Sequence, residues 1–177
     1  MKSAAFALIL ISAVFVSQAH TAVAQDHTAI DLDIVVSGAE FTLSLAVPAA
    51  GILGTEKPAQ NDEGRDSIAV AISDLSKPLE LFVVPEEAGC FAAMANVTLS
   101  AIGLGQDTDT TRTDGDDTNE FQAEYLIRCK NIDVIEAIHF AYFERFPTAE
   151  NLAVRVDQAG KSRTQNVTRG APDLTFK

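Results

Sequence analysis

The sequence is short of several residue types on which many protein functions depend. It has no tryptophan, two tyrosines, two cysteines and three histidines among its 177 residues. Basic side chains are also few, since 13 Lys and Arg stand against 25 Asp and Glu, a formal net charge of −12. Nucleic acids and anionic lipid surfaces are bound through basic surfaces. This charge balance therefore argues against both as partners.

Recognisable signatures of catalysis are missing too. The sequence contains no G-x-S-x-G, H-E-x-x-H or G-x-G-x-x-G motif, and no phosphate-binding glycine loop. Beyond residue 24 the histidines are His27 in the N-terminal part and His139, which lies between Ile138 and Phe140. We therefore predict a protein that is not an enzyme. An enzyme without a known motif is the alternative.

The N-terminus has the pattern of a secretory signal peptide. Lys2 supplies the positive charge, residues 4–16 are uncharged and mostly apolar, and Ala22 and Ala24 are the small residues that precede a cleavage site. The apolar run is shorter than the roughly 20 residues of a membrane-spanning helix. We predict that residues 1–24 are removed, with cleavage between Ala24 and Gln25. A retained membrane anchor is the alternative.

The predicted export of the protein bears on its two cysteines, Cys90 and Cys129. Exported proteins fold where disulfides form and persist, and an even number of cysteines without C-x-x-C spacing favours a structural bridge over a redox or zinc site. We predict one disulfide, and two free thiols remain the alternative.

The apolar periodicity predicts a single α+β domain over residues 25–177. Alternating residues predict a hairpin over residues 29–47 with its turn at Ser37-Gly38, whereas Asp62 to Leu75 has helical spacing, with Asn61 or Asp62 as the N-cap. Residues 49–61 are expected to form a loop, and a short helix is expected after Asn131. Further strands are predicted near residues 91–99, 121–129, 138–143, 152–156 and 162–168.

Together these segments make about seven strands, mostly antiparallel, with one main amphipathic helix and one or two short helices. In the strand after Cys90, alternation is predicted to put five residues on one face. They are Phe91, Ala93, Ala95, Val97 and Leu99.

Residues 103–118 are interpreted as an acidic, solvated, flexible loop. Its carboxylates are the hard oxygen ligands that calcium and magnesium prefer, although the EF-hand spacing fails because Thr111 follows at the third ligand position. The loop is therefore a candidate for weak, oxygen-based metal binding, with a simple solvated surface as the alternative. Its candidate ligands are Asp107, Asp109, Asp114, Asp116 and Asp117.

Four separated motifs occur in one order along the chain: VPAAGILGTEKPA (Val47–Ala59), LFVVPEEAGC (Leu81–Cys90), NEFQAEYLIRC (Asn119–Cys129) and FERFP (Phe143–Pro147). With these motifs the sequence resembles the ZrgA-like family of periplasmic zinc-binding proteins, over about residues 28–176. The resemblance implies a soluble, non-catalytic periplasmic protein that binds zinc and assists zinc uptake beside a transporter.

The sequence departs from the family pattern at its histidines. The N-terminal histidine cluster is reduced to His27, the acidic loop has no histidine, and Lys57 and Thr118 stand where the family has histidine. Imidazole nitrogens make zinc sites tight, and a protonated lysine repels a cation.

The leading hypothesis is therefore a periplasmic accessory protein that binds zinc or another divalent cation weakly. The loop carboxylates would supply the ligands, together with Asp26 and His27, and a metal transporter or another envelope protein would be the partner. The alternative is an envelope protein-interaction domain with no metal role, whose acidic loop contacts a basic surface.

Overall fold

The computed structural model describes residues 30–55, 61–100 and 119–176. In these ranges the strands are β1 (Asp31–Ser37), β2 (Glu40–Pro48), β3 (Phe82–Val83), β4 (Phe91–Leu99), β5 (Glu120–Arg128), β6 (Ala137–Phe140), β7 (Asn151–Gln158), β8 (Lys161–Thr168) and β9 (Asp173–Thr175). The α-helices are α1 (Ala49–Leu53), α2 (Asp62–Leu75), α3 (Pro78–Leu81) and α4 (Tyr142–Arg145), and 3₁₀ turns span Glu86–Ala88 and Ile132–Val134.

The strands form two sheets. The larger sheet has six strands in the order β4-β5-β2-β1-β7-β8, and the smaller has the order β3-β6-β9. All pairs are antiparallel except β1 with β7, which run parallel. The predicted single α+β domain with a mostly antiparallel sheet is therefore confirmed, with nine strands in the described ranges rather than about seven.

The six-stranded sheet is amphipathic because its strands alternate. On one face the side chains of β1, β2, β5 and β7 are buried in one core cluster with α2 and the smaller sheet. We call the other side of this sheet the open face. It consists of the strand residues that point away from the core, and every one of them is exposed or half-buried.

Helix α2 follows the sequence prediction closely. It spans Asp62–Leu75, and the side chain of Asn61 accepts a hydrogen bond of 2.9 Å from the Gly64 backbone N–H, as a helix N-cap does. Its buried residues include Ile68, Ala71 and Leu75, which are spaced to lie on one helix face.

The first hairpin turn is one residue beyond the predicted Ser37-Gly38 pair, at Gly38 and Ala39. Ser37 pairs with Glu40, and Gly38 begins the two-residue turn with a φ of 58°, as a type II′ turn requires. At the second hairpin Gln158 pairs with Lys161.

Strand β4 contains an irregularity that the alternation did not reveal. Ala92 is opposite Ile127 and Met94 is opposite Leu126, so Ala93 is an extra residue in a β-bulge. The predicted common face is therefore wrong at its N-terminal end, because the bulge places Phe91 opposite Arg128, on the open face.

Three other segments differ from expectation. The predicted loop over residues 49–61 begins with a short helix, α1. The expected strand over 138–143 ends at Phe140, and α4 follows it. After Asn131 the chain makes a single 3₁₀ turn, and the Asn131 side chain makes no capping hydrogen bond. For residues 138–143 the reason is that a short apolar stretch does not distinguish strand from helix by its period.

None of the described helices is long and apolar enough to cross a membrane.

Candidate functional site

Most of the predicted site residues lie outside the described ranges. This applies to the predicted cleavage position, Ala24 and Gln25, to Asp26 and His27, and to the five loop aspartates Asp107, Asp109, Asp114, Asp116 and Asp117. The arrangement of these residues therefore stays a prediction. The structure does show where the described chain ends on either side of them.

Those described ends lie at one edge of the larger sheet, namely the edge formed by the ends of its strands and not by an outer strand. Ile30 precedes β1, Ser100 follows β4 and Asn119 precedes β5. The register places Leu99 opposite Phe121 and Phe121 opposite Val47, while Asp31 is opposite Ala46. Since neighbouring strands are about 5 Å apart, the β1 and β5 positions at this edge are separated by about 10 Å. The segments that carry His27 and the loop aspartates are thus attached close together.

Hydrogen bonds fix these attachment points. The Ser100 backbone N–H donates to the Glu120 carbonyl oxygen at 2.9 Å, and the Ser100 hydroxyl donates to the same carbonyl at 3.1 Å. The Ala49 N–H donates to the Asn119 carbonyl at 2.7 Å, which connects the start of α1 to the same place. Both ends of the acidic segment are therefore held by the sheet.

The other end of the β4–β5 pair carries the two cysteines. Phe91 is opposite Arg128, so the residues immediately beyond them, Cys90 and Cys129, face each other across the pair. They form a disulfide, with their Cα atoms 3.9 Å apart. Because both cysteines of the sequence are in this bridge, no thiolate is available as a zinc ligand while the bridge is intact.

The described residues contain no cluster of three or more histidine, cysteine, aspartate or glutamate side chains that could hold a metal ion. His139 is the one histidine among them, and its Nδ1 lies 2.8 Å from Asp173 Oδ1 on the adjacent strand. A single imidazole with one carboxylate falls short of the four ligands of a structural zinc site. His139 is half exposed on β6, the central strand of the smaller sheet, which agrees with its predicted position in a strand.

Two carboxylates near the attachment points were not predicted as site residues. Asp31 and Glu120 lie on the open face at the edge where Ile30 and Asn119 are located. Sequence alone offered little to identify them, because a polar residue at a strand end is also what an ordinary solvated sheet face requires.

Two clefts among the described residues lie away from these attachment points. One of about 570 Å³ is at the opposite end of the sheet, between the two hairpin turns and Phe176. Another of about 240 Å³ lies between α2 and α4, where the carboxylate of Asp74 pairs with Arg145. This ion pair reduces the negative charge that a bound cation would meet.

No curated protein matches the chain. The family model described as "ZrgA family zinc uptake protein" matches residues 24–176. That match covers every described element of the fold, and it agrees with the resemblance drawn from the four motifs. The chain therefore belongs to the ZrgA family of zinc uptake proteins.

Proposed function

We propose that this protein is a non-catalytic accessory protein of zinc uptake that works in the periplasm and binds the metal weakly and reversibly. The observation that carries the proposal is the common attachment edge. The segment with Asp26 and His27 and the segment with the loop aspartates both leave the sheet there, in a chain of a zinc uptake family.

The chemistry of these residues supports a site from which the metal exchanges easily. Aspartate oxygens bind zinc less selectively than imidazole or thiolate does, and His27 would supply one nitrogen ligand. Lys57 replaces a family histidine with a cation, which lowers the affinity further. A protein that passes zinc to a transporter must also release it, and this ligand set favours release.

Isothermal titration of the tag-free chain 25–177 with zinc and then with calcium tests the proposal. We expect zinc to bind more tightly than calcium, with a dissociation constant between about 1 μM and 1 mM, and a value near or below about 1 μM would mean that the remaining ligands suffice for tighter binding. Binding weaker than about 1 mM would overturn the metal role.

Variants locate the site within that experiment. His27→Ala, and the five Asp→Asn changes in residues 107–117 taken together, should each weaken zinc binding. His139→Ala is the matched control, because this histidine lies on the smaller sheet beside Asp173. An equal loss with His139→Ala would contradict the proposed location.

The net charge of −12 and the missing family histidines favour one second candidate, an envelope protein-interaction domain with no metal role. It predicts a specific partner that is captured by the full chain and lost on deleting residues 106–118, together with no zinc binding below about 1 mM.

A further inference from the structure

The open face of the larger sheet carries an excess of negative charge. Its two guanidinium groups are both engaged with carboxylates of the same face: Arg128 Nε lies 2.7 Å from Glu40 Oε1, and Arg155 Nε lies 2.8 Å from Asp33 Oδ1. Against these two cations stand six carboxylates, a net charge of −4 for the face. They are Asp31, Asp33, Glu40, Glu120, Glu124 and Asp157.

One corner of this acidic face is apolar. The bulge at Ala93 turns both Phe91 and Met94 onto the open face, where their exposed fractions are 53% and 46%. A regular strand would have placed these two residues on opposite faces, since they are three positions apart. Met94 lies opposite Leu126, which is only half-buried, so three apolar residues occupy neighbouring positions at this corner of the open face.

The strand at this corner, β4, is also an edge strand of the sheet. Within the described residues β4 pairs only with β5, so its outer backbone N–H and C=O groups have no strand partner. Exposed edges are protected by charge, by proline or by bulges, and β4 has a bulge at Ala93. The opposite edge, β8, carries Lys161 and Arg163, whereas β4 from Phe91 to Leu99 has no charged residue.

We propose that β4 and the open face beside it bind an extended segment of a partner protein that carries both apolar and basic side chains on one face, the face that it turns to the open side of the sheet. The segment would add to β4 as a further strand. Its apolar side chains would cover Phe91 and Met94, and its basic side chains would face the carboxylates of the open face, of which Glu124 is the nearest. This surface does not depend on the metal-binding role.

Charge selects this occupant over a second copy of the chain. Pairing of β4 with β4 of another copy would place two faces of net charge −4 side by side, and like charges across an interface reduce affinity. A basic segment would instead be attracted by the negative charge of the open face, which raises its affinity.

Fluorescence anisotropy tests the proposal on the chain 25–177, with a labelled peptide in which valine and then lysine residues occupy the positions of one strand face and serine occupies the alternate positions. We expect saturable binding that weakens as salt is added, and no binding of the same peptide with glutamate in place of lysine. Methylating alternate backbone nitrogens of the probe keeps its charge but removes the hydrogen bonds of one edge. It should weaken binding at least about tenfold.

Matched variants locate the contact. Met94→Lys, and separately Phe91→Lys, should each weaken peptide binding at least about tenfold. Val70→Lys is the control, because Val70 is 55% exposed on α2 and lies away from the open face. It should change the affinity less than about twofold.

Three outcomes would overturn the proposal. Equal binding of the methylated probe would mean adsorption by charge alone. Binding that survives Met94→Lys but is lost on deleting residues 103–118 would place the contact on the acidic segment. A dimer of the wild-type chain that Met94→Lys makes monomeric, seen by sedimentation, would make a second copy the occupant.

Discussion

The two tyrosines of the sequence are both fully buried, but their hydroxyl groups differ in hydrogen bonding. The Tyr125 hydroxyl donates to the Leu75 carbonyl at 2.7 Å, which satisfies a carbonyl at the C-terminal end of α2. The Tyr142 hydroxyl has no hydrogen-bond partner among the described residues and lies in a cluster of aromatic rings. A buried hydroxyl without a partner lowers stability.

This difference predicts opposite effects of the same substitution. Tyr142→Phe should leave the free energy of unfolding unchanged or raise it by about 1 kcal/mol, whereas Tyr125→Phe should lower it by about 1–2 kcal/mol because Leu75 loses its donor. Urea denaturation of both variants measures this. If Tyr142→Phe costs as much as Tyr125→Phe, the Tyr142 hydroxyl must have a partner.

The same burial predicts how stability depends on pH in the alkaline range. Loss of solvation raises the pKa of Tyr125 and of Tyr142 far above the usual value of 10.0, and the nearby Tyr125 raises that of Tyr142 further. Above pH 10 the unfolded chain therefore releases protons that the folded chain keeps. Stability is fully present below pH 10 and falls by up to about 1.4 kcal/mol per pH unit for each tyrosine.

Urea denaturation near pH 9 and pH 11 should show this loss. In Tyr142→Phe, the part of this loss of stability that comes from tyrosine ionisation should be about half of that in the wild type. The lysine and arginine titrations are common to both proteins. The same pH dependence in both would contradict the assignment. Phenolate absorbance should appear together with unfolding and not before it.

Arg169 is a residue whose importance no motif indicated. Its guanidinium donates to the carbonyl oxygens of Phe143, Phe146, Pro147 and Ala149, at distances from 2.6 to 3.2 Å. These carbonyls lie in and after α4, where the helix end leaves acceptors unsatisfied. A planar group with five donors suits this position, and lysine does not.

Arg169→Lys should therefore lower the free energy of unfolding by about 2 kcal/mol, since several charge-assisted hydrogen bonds are lost together. Arg155→Lys is the control. Arg155 forms an exposed ion pair with Asp33, and such pairs contribute about 0–1 kcal/mol. Similar losses in the two variants would show that the four carbonyl contacts contribute little.

At the scale of elements, the β4–β5 pair has the attachment points Ser100 and Asn119 at one end and the disulfide at the other. A bridge between residues 39 positions apart limits the unfolded chain, and its loss should cost about 2–4 kcal/mol. The double change Cys90→Ser with Cys129→Ser measures this by urea denaturation. Unchanged stability would mean that the bridge contributes nothing to the free energy of unfolding.

The bridge itself is checked by mass spectrometry of the purified, unreduced protein. The mass should be about 2 Da below that of the chain beginning at Gln25, because bridging removes two hydrogens. Alkylation of either cysteine without a reductant would contradict the bridge, and a chain that still begins at Met1 would contradict the predicted cleavage.

The elements differ in how far the sequence could predict them. Helix α2 was predictable in full because its period, its Asn61 cap and the following Pro78 agree, and local interactions decide all three. The bulge at Ala93 was not predictable, because an extra residue is defined only by the partner strand. The parallel pairing of β1 with β7 was missed for the same reason, since alternation identifies a strand but not its distant neighbour.

For the whole molecule, the sequence identified the family and the acidic character, and it located the candidate metal ligands in two segments. It could not show that these segments are attached at one edge of the sheet, because that depends on β1, β2 and β5 being neighbours. Nor could it show the apolar corner at Phe91 and Met94, which arises from the bulge. Both features come from strand pairing over long sequence distances.

The position of β1 between β2 and β7 has a consequence for the order in which the molecule forms. β2 follows β1 directly and can pair early, but β7 begins only at Asn151. During synthesis one side of the apolar strand β1 therefore stays open until most of the chain has been made. If the chain were released before β7 was made, the side of β1 that pairs with β7 would remain exposed. It could then pair with other chains. The chain therefore depends on remaining unfolded or protected until nearly its full length is available.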